Sequence, residues 1–266
     1  MINVLSLFDG MSCGRIALDK LDIPCQYYAS EIDKYSIKVS QANYPDTIQL
    51  GDVTQVYWKN KTKIDLLIGG SPCQGFSFAG KHLNFQDDRS KLFFEYVRLL
   101  NEVKPKYFLL ENVRMKKESE DIISQYLGVS PIAINSSTLS AQNRQRLYWT
   151  NIPVSQPEDK GIKLKDILED GLVDRDKSHC LDANYWKGGN LKSYFEKHRR
   201  QLVFETEPSV VADDLKWRKL TPIECERLQT VPDNYTNHVS NTQRYKMLGN
   251  GMTVDVITHI LKGMKL

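Results

Sequence analysis

Short apolar runs alternate with amphipathic stretches along the first 150 residues of the chain. This alternation is typical of β-α units around a mostly parallel sheet, because each helix returns the chain to the edge where the next strand begins. We predict strands over residues 2–8, 26–30, 48–50, 64–68, 107–110, 132–134 and 146–150. Apolar residues at helical spacing predict helices over residues 14–21, 34–42 and 90–103. The pattern predicts an α/β fold with a doubly wound, mostly parallel sheet.

The alternation then stops, and a polar, turn-rich and irregular segment follows. We interpret residues 1–150 as the main domain and residues 151–216 as a small separate lobe. Residues 217–266 form a third, C-terminal segment in which regular signals return, and we expect it to pack back onto the main domain.

The C-terminal segment carries a clear helix start. Thr221 is a suitable N-cap, Pro222 suits the first helical position, and Glu224 completes a capping box. These residues predict a helix over 222–229, and apolar spacing predicts a last helix over 253–261.

Composition excludes several classes of protein but selects no function. No stretch reaches the roughly 18 consecutive apolar residues of a membrane-spanning helix, so we expect a cytoplasmic protein without a membrane partner. The five cysteines are far apart and include no C-x-x-C pair, which predicts neither a disulfide framework nor a metal site. The net charge of +3 is too small to indicate a nucleic-acid partner by itself.

One cysteine stands where open α/β sheets place their ligands. Cys73 follows the fourth predicted strand through a Gly-Gly-Ser-Pro turn, at the carboxyl end of that strand. By itself Cys73 is as compatible with a buried small hydrophobe as with a nucleophile. Glu111 ends the fifth predicted strand, and Arg144 leads into the last one. If these strands are neighbours, a thiol, a carboxyl group and a guanidinium meet at one edge of the sheet.

Three short blocks follow one another along the chain: Pro72-Cys73-Gln74, Glu111-Asn112-Val113 and a Q-x-R-x-R run at 142–146. In this order they resemble the signature blocks of the C5-cytosine methyltransferase family. The resemblance covers nearly the whole chain apart from the polar lobe. Further similar blocks lie at residues 7–14, 218–222 and 248–251.

Two branches of that family are similar to this chain. Residues 29–31 and 89–100 resemble the catalytic domain of animal de novo DNA methyltransferases, and residues 80–89 are equally close to bacterial and phage enzymes. The resemblance implies a Rossmann-like methyltransferase that uses S-adenosylmethionine and releases S-adenosylhomocysteine. It also implies a prokaryotic or phage-encoded enzyme of DNA methylation, of restriction-modification type, in which residues 151–216 are a target-recognition lobe.

The chemistry of cytosine suits these residues. Carbon 5 is a poor nucleophile, and adding the Cys73 thiolate at carbon 6 makes the ring enamine-like. Because a free cysteine has a pKa of about 8.5, the thiolate needs nearby positive charge, for which Arg144 is the candidate, with Arg146 also near the base. Glu111 can hydrogen-bond or protonate ring nitrogen 3 if burial raises its pKa. We expect Asn112 to hold the carboxyl group and the adjoining loop in place.

Donor binding is predicted at the first strand ends. The turn at 9–14 lacks the G-x-G-x-x-G spacing of a dinucleotide site. Glu31 can accept the ribose hydroxyls and Asp52 the adenine amino group, although each carboxylate alone is as consistent with a solvated strand end. The other residues that the resemblance assigns to the donor pocket are Phe8, Asp9, Gly10, Ser12, Gly14, Ile32, Val53, Pro72, Leu92, Asn250 and Gly251.

The expected partner is double-stranded DNA, bound by a monomer. A cytosine inside a duplex must be flipped out to reach Cys73, and we expect the loop at 74–88 to close behind it. The lobe combines aromatic and basic residues that suit phosphate contact, and its small size predicts a short target site. The predicted DNA contacts are Gln74, Ser77, Lys81, His82, Arg89, Tyr185, Lys187, Gly188, Asn190, Lys192 and Arg199.

Three alternatives remain open at this point. A family member that methylates cytosine in transfer RNA would share the catalytic blocks, but the C-F-T block typical of that branch is absent here. A non-catalytic DNA-binding relative would be expected to lack Cys73 or Glu111. A nicotinamide-dependent oxidoreductase is disfavoured by the missing glycine fingerprint.

Overall fold

The computed structural model describes residues 1–59, 62–72, 88–207 and 215–266, with the backbone alone for residues 88–90. The described chain divides into two compact units. The first unit, here called the sheet unit, comprises Met1–Ile134, Gln145–Ser155 and Ile257–Leu266. The second unit comprises Asn135–Arg144 and Gln156–Val256.

Within the described residues, one sheet of seven strands forms the framework of the sheet unit. Its strands are β1 Ile2–Leu7, β2 Cys25–Ser30, β3 Ile48–Gln49, β4 Leu66–Gly69, β5 Tyr107–Val113, β6 Ile132–Asn135 and β7 Gln145–Thr150. They lie in the order β3-β2-β1-β4-β5-β7-β6. The pairs from β3 to β5 are parallel, and β7 is antiparallel to β5. The prediction of an α/β fold with a mostly parallel sheet is confirmed.

Helices connect the strands of the sheet unit. They are α1 Cys13–Asp19, α2 Lys34–Asn43, α3 Asp88–Val103 and α4 Lys117–Leu127. The central strands are buried, as expected for a parallel sheet covered on both faces: Leu66, Leu67 and Ile68 of β4 are at most 1% exposed. Large side chains of α3, such as Phe93 and Tyr96, complete the core.

The order of the strands locates the site. The chain runs from β1 outward to β3 and then returns to β4 on the other side of β1. The crevice at the carboxyl ends of β1 and β4 is therefore the topological switch point, where open α/β sheets bind ligands.

The second unit is built from short elements. They are α5 Leu191–Lys197, β8 Leu202–Phe204, β9 Trp217–Lys219, α6 Pro222–Leu228 and α7 Asn241–Asn250, while α8 Val254–Leu261 runs from this unit into the sheet unit. The predicted capping box of α6 is confirmed, since the Thr221 side chain accepts from Glu224 N at 3.1 Å and the Glu224 carboxylate accepts from Thr221 N at 2.8 Å.

One predicted boundary does not fit these units. The division into units runs through residues 217–266: the part up to Val256 belongs to the second unit, and Ile257–Leu266 belongs to the sheet unit. Buried hydrogen bonds explain the division: the Gln142 amide donates to Leu228 O at 2.8 Å, and the Gln229 amide donates to Leu248 O at 2.6 Å. Through the described residues, no helix is both long and apolar enough to cross a membrane.

Candidate active site

An acidic and a basic side chain meet at the carboxyl end of β5. The antiparallel register places Glu111 opposite Tyr148 and Val113 opposite Arg146, so Glu111 and Arg146 lie on the same face of the sheet. Arg146 Nε lies 3.1 Å from Glu111 Oε1, and the two side chains are only 15% and 12% exposed. Glu111 thus faces a guanidinium in a largely desolvated position, where a charge-assisted contact is strong.

Asn112, the next residue of β5, joins this strand to the turn after β4. Its side chain is buried, and its amide donates to Ser71 O at 3.3 Å and to Ser71 Oγ at 3.4 Å. Its carbonyl oxygen accepts from Val113 N at 2.8 Å. These contacts join β5 to the turn after β4, and the role of Asn112 in holding the carboxyl group and the adjoining loop stays a prediction. Cys73 itself, two residues after Ser71 in sequence, lies outside the described residues.

Arg144 takes a different position from the one predicted. Its side chain is 2% exposed, and the guanidinium donates to Leu181 O at 2.8 Å, Gly249 O at 3.1 Å and Gly251 O at 2.8 Å. These hydrogen bonds do not fit a free cation that stabilises a thiolate. The physical reason is the start of β7 at Gln145: Arg146 is part of the strand and faces Glu111, whereas Arg144 precedes the strand and belongs to the second unit.

The turn between β1 and α1 is strained. Phe8, Gly10 and Ser12 have φ angles of 56°, 59° and 64°, in the left-handed region that non-glycine residues adopt at a cost of about 1 kcal/mol or more. A Cβ built on Gly10 would meet nothing within 4 Å, so its backbone angle rather than crowding favours glycine. Such strain clusters at ligand sites, where the surrounding structure must hold it.

Asp9 holds this turn from inside. Its carboxylate accepts from Ser12 Oγ at 2.5 Å and from Tyr27 Oη at 2.8 Å. Burial raises the pKa of Asp9 from 3.8 to about 6, against the lowering effect of its hydrogen bonds with Ser12, Ser6 and Tyr27. Asp9 and Ser12 are therefore buried supports of the predicted donor turn.

Glu31 connects the ends of β1 and β2. One carboxylate oxygen accepts from Gly10 N at 2.7 Å, and the other accepts from Ile32 N at 2.7 Å and Asp33 N at 2.8 Å. A carboxylate offers about four acceptor positions, so capacity remains for a ligand hydroxyl. Ile32 is 75% exposed and offers an apolar surface beside this carboxylate.

Asp52 stands after β3, at the start of the 3₁₀ turn Val53–Gln55. Its Oδ1 accepts from both the backbone and the hydroxyl group of Thr54 at 2.9 Å, and the residue is exposed. Val53 is 5% exposed and packs in the core. Asp52 is thus available at the sheet edge, whereas Val53 mainly supports the turn.

Gly14 has a packing role. A Cβ at this position would lie 2.9 Å from Tyr27 Oη and 3.0 Å from Ile68 Cδ1, so only glycine lets α1 approach the sheet this closely. Of the remaining predicted donor residues, Phe8 and Leu92 are partly buried against the core, and Pro72 is exposed.

The last two predicted donor residues belong to the second unit. Asn250 ends α7 and is exposed, and Gly251 is its C-cap, with its N–H donating to Met247 O at 2.8 Å.

The sequence of this chain matches the profile of the C-5 cytosine-specific DNA methylase family over residues 2–170 and 168–266. The chain belongs to this family. As a member, the protein is a DNA (cytosine-5)-methyltransferase. Within the described residues no group of three His, Cys, Asp or Glu side chains could hold a metal ion.

Curated relatives match this methyltransferase along nearly all of its length. It is 30% identical to the type II methyltransferase M.NlaX of Neisseria lactamica, with 100% of this chain and 96% of the relative covered. It is 29% identical to the type II methyltransferase M1.ScrFI of Lactococcus lactis subsp. cremoris, with 98% and 77% covered.

Solved structures share its fold. The Dnmt2 methyltransferase of S. pombe matches with a TM-score of 0.73 at 18% identity over the whole of both chains. A putative DNA modification methyltransferase encoded within an E. coli prophage matches with a TM-score of 0.69 at 23% identity, over 99% of this chain and 98% of that chain. At these identities the likeness concerns the fold alone.

In the predicted recognition lobe of the methyltransferase, two neighbouring aromatic residues differ in exposure, and the exposed one is not the one predicted to contact DNA. Tyr185 is 2% exposed, and its hydroxyl donates to Gln201 O at 2.5 Å and accepts from Leu220 N at 2.9 Å. This burial does not fit the predicted DNA contact. Trp186, which is not among the predicted DNA contacts, is 40% exposed, and Lys187 Nζ lies 5.5 Å from its ring centroid. The aromatic residues in the sequence indicated this segment as a DNA contact, but only the burial of each side chain shows which of the two is exposed.

The other predicted DNA contacts of the lobe are largely at its surface. Lys187 and Lys192 are exposed, and the 62% exposed side chain of Arg199 lies 3.5 Å from Asp182. Asn190 caps α5, where its side chain accepts from Ser193 N at 2.8 Å.

Gly188 is partly buried, with a φ of 77°. Arg89 lies in α3, where only its backbone is described. The remaining predicted contacts fall outside the described residues: Gln74, Ser77, Lys81 and His82.

Proposed function

We propose that this methyltransferase transfers a methyl group from S-adenosylmethionine to carbon 5 of cytosine in a short sequence of duplex DNA, with Cys73 as the attacking nucleophile. The observation that carries the proposal is the Glu111–Arg146 pair at the carboxyl end of β5. It stands on the strand beside the one whose turn leads to Cys73, and Asn112 ties that turn to β5.

Glu111 and Arg146 suit the cytosine ring. When the Cys73 thiolate adds to carbon 6, the electron pair moves toward ring nitrogen 3, and a carboxyl group there hydrogen-bonds or protonates this nitrogen. Arg146 holds Glu111 in place beside the position proposed for the base. The enamine-like carbon 5 takes the methyl group. Loss of the proton from carbon 5 then expels Cys73 and restores the ring.

The residues around the turn after β1 suit the methyl donor. The space beside Gly10 is open, and Ile32 exposes an apolar surface on which a nucleoside can lie. Glu31 has acceptor capacity left for ribose hydroxyls. Asp52 stands at the next strand end, where a carboxylate can accept from the adenine amino group. The donor supplies an electrophilic methyl group bound to sulfonium sulfur. In this proposal Asp9 and Ser12 keep the turn in shape without touching the donor.

Access to the base requires flipping, which costs a few kcal/mol. The exposed aromatic and basic side chains of the second unit, Trp186, Lys187, Lys192 and Arg199, suit a DNA backbone and an exposed base. Action as a monomer and an intracellular location remain predictions from the sequence.

Substitution of the nucleophile tests this proposal. Cys73→Ala should reduce methyl transfer to duplex DNA by about 10³-fold or more while DNA binding persists, because only the covalent step is lost. Methyl incorporation from labelled donor and a gel-shift titration measure the two quantities. Turnover near that of the wild type would reject Cys73 as the nucleophile.

A mechanism-based probe tests the covalent intermediate directly. DNA that contains 5-fluorocytosine should form a complex with the wild-type enzyme that survives denaturation, because fluorine cannot leave as a proton does. Cys73→Ala is the matched control and should form none. Transfer RNA in parallel reactions distinguishes the alternative substrate, and transfer to RNA alone would contradict DNA as the substrate.

A further inference from the structure

The turn between β1 and α1 lies where the sheet unit can bind a ligand. It stands at the topological switch point of the sheet, on the carboxyl side of β1. Three of its residues, Phe8, Gly10 and Ser12, have left-handed φ angles. The Glu31 carboxylate accepts from Gly10 N at 2.7 Å and from the backbone of the exposed Ile32. A strained backbone, a carboxylate and an exposed apolar side chain therefore meet at this turn.

One buried carboxylate holds the turn in place. The left-handed angles of Phe8 and Ser12 are unfavourable for residues with a Cβ atom, so they persist only where surrounding contacts hold them. Asp9 provides such contacts, since its N–H donates to Ser30 O at 3.1 Å and its carboxylate is buried. A buried carboxylate is costly unless its oxygens accept hydrogen bonds. The shape of the turn therefore depends on the donors that reach Asp9.

Tyr27 supplies the donor for one of these oxygens. Its hydroxyl donates to Asp9 Oδ1 at 2.8 Å from within β2, and the side chain is 0% exposed. Burial and the neighbouring Asp9 carboxylate raise the pKa of Tyr27 well above its usual value, so the hydroxyl keeps its proton for this bond. A Cβ on Gly14 would lie 2.9 Å from Tyr27 Oη. The absence of a side chain at Gly14 thus leaves room for this hydroxyl beneath α1.

Serine hydroxyl groups complete the network around the carboxylate. Ser12 Oγ donates to Asp9 Oδ2 at 2.5 Å and lies 2.6 Å from Ser40 Oγ on α2. Because a hydroxyl has one proton and Ser12 gives its own to Asp9, Ser40 is the donor in the second pair. Ser6 of β1 also forms a hydrogen bond with the Asp9 carboxylate. The carboxylate is thus tied to β1, to β2 and, through the N-cap of α1, to α2.

We infer that Tyr27 is a positioning residue for the methyl donor, because its hydroxyl, acting through Asp9, holds the turn in the form that brings Gly10 to Glu31. The inference rests on the proposed function, which places the donor at this turn. Tyr27 has no exposed surface, so it acts on a ligand only through Asp9. Without its hydroxyl the buried carboxylate loses a hydrogen bond, and the strained turn is held less firmly.

The test compares the same change at two neighbouring tyrosines of β2. Tyr27→Phe removes the hydroxyl and keeps the ring, so binding of S-adenosylhomocysteine, measured by titration calorimetry, should weaken about tenfold, as expected for one lost hydrogen bond to a charged group. The KM for the donor should rise, while kcat at saturating donor stays within about threefold of the wild type.

Tyr28→Phe is the matched control. Successive side chains of a strand point to opposite faces of the sheet, and the Tyr28 ring packs on Trp58 with 4.9 Å between the ring centroids. Tyr28→Phe should therefore leave the affinity for S-adenosylhomocysteine unchanged. A loss as large as that of Tyr27→Phe would overturn the inference, because it would not depend on Asp9.

A double-mutant cycle shows whether Tyr27 acts through Asp9. Asp9→Ala removes the acceptor and should also weaken binding of S-adenosylhomocysteine. If the hydroxyl works only through this carboxylate, adding Tyr27→Phe to Asp9→Ala costs little further affinity. Additive losses would count against the inference. Thermal unfolding of each variant ensures that titrations are made on folded protein, which separates a loss of affinity from a loss of stability.

Ser40→Ala provides a second variant if Tyr27→Phe does not fold. This change removes a donor at the other end of the same network, so binding of S-adenosylhomocysteine should weaken about threefold, as expected for a lost hydrogen bond between neutral hydroxyl groups. An unchanged affinity would contradict the role of the network.

The two levels of the proposal fail differently. A wild-type enzyme that does not bind S-adenosylhomocysteine would contradict the proposed donor and this inference with it. A wild-type enzyme that binds it, together with a folded Tyr27→Phe variant that binds equally well, would overturn the role of Tyr27 and leave the proposed function intact.

Discussion

The two units of this methyltransferase use charged side chains in opposite ways. In the sheet unit the interior is largely apolar apart from the buried carboxylate of Asp9, and the carboxylates of Glu31 and Glu111 stand at strand ends, where they face backbone N–H groups or a guanidinium. In the second unit Glu224 and Glu226 are 0% exposed, and Arg244 is 6% exposed. The two glutamates of the sheet unit therefore lie at strand ends, whereas the three charged side chains of the second unit lie in its interior.

The difference follows from how each unit satisfies its backbone. A seven-stranded sheet with covering helices pairs its own N–H and C=O groups, so few buried side chains need to do so. The short elements of the second unit leave many backbone groups without partners within those elements. Buried polar side chains such as Glu226 and Gln229 form hydrogen bonds with backbone groups there. The buried charges of the second unit are therefore explained by backbone hydrogen bonding, whereas Glu31 and Glu111 of the sheet unit stand at the strand ends where we propose the site.

Removing a charge from the interior of the second unit should have the largest effect. Glu226 accepts from Asn234 N at 2.7 Å, Thr236 N at 2.8 Å and Arg244 at 3.0 Å. Glu226→Gln leaves the Arg244 guanidinium buried without its counter-charge, so the free energy of unfolding should fall by about 3–5 kcal/mol. Urea unfolding of the purified enzyme measures this loss.

An exposed ion pair of the same unit is the control. Lys163 and Asp176 lie 3.3 Å apart with side chains 47% and 70% exposed. Lys163→Ala should change the free energy of unfolding by about 0.5 kcal/mol or less. Similar losses for Glu226→Gln and Lys163→Ala would break the comparison between buried and surface charge.

An intermediate effect is expected where the second unit exposes an aromatic ring. Trp186→Ala should weaken binding to duplex DNA by about 1–3 kcal/mol if the indole stacks on a base. Tyr185→Phe, one residue earlier, should lower stability by about 1 kcal/mol through its lost hydrogen bonds and leave DNA affinity unchanged. Fluorescence anisotropy with a labelled duplex at one fixed salt concentration measures both. A larger loss of DNA affinity for Tyr185→Phe would reverse the assignment.

Apart from the surface control, the smallest effect concerns Asp9, a buried carboxylate of the sheet unit with a pKa of about 6 instead of 3.8. Because the folded protein binds this proton more tightly than the unfolded chain, the ionised carboxylate is destabilising above pH 6, and stability is gained as the pH falls from 6 towards 4. Relative to Asp9→Asn, the wild type should gain about 1 kcal/mol of unfolding free energy between pH 7 and pH 5. Urea unfolding at both pH values measures it, and an equal pH dependence in the two proteins would contradict the raised pKa.

Most of the sheet unit could be predicted from the sequence, since the alternation of apolar runs is a local signal. All seven predicted strands are present, with ends that shift by a few residues. The pattern missed α4 Lys117–Leu127, which begins with a polar run, and α7 Asn241–Asn250, which contains glycine and asparagine, poor helix formers. The interior of the second unit was not predictable, because its polar side chains resemble those of a solvated surface.

The sequence by itself determined the class of fold, the order of the strands along the chain, and the presence of Cys73 after one strand and of Glu111 towards the end of another. The tertiary structure decided which arginine meets Glu111. Side chains on paired strands meet only when the register brings them to the same face, and the register of β5 and β7 places Val113 opposite Arg146. Arg144, two residues earlier, precedes the strand and is held by three carbonyl oxygens instead. Register and burial depend on residues distant in the chain, so a local pattern could not separate the two arginines.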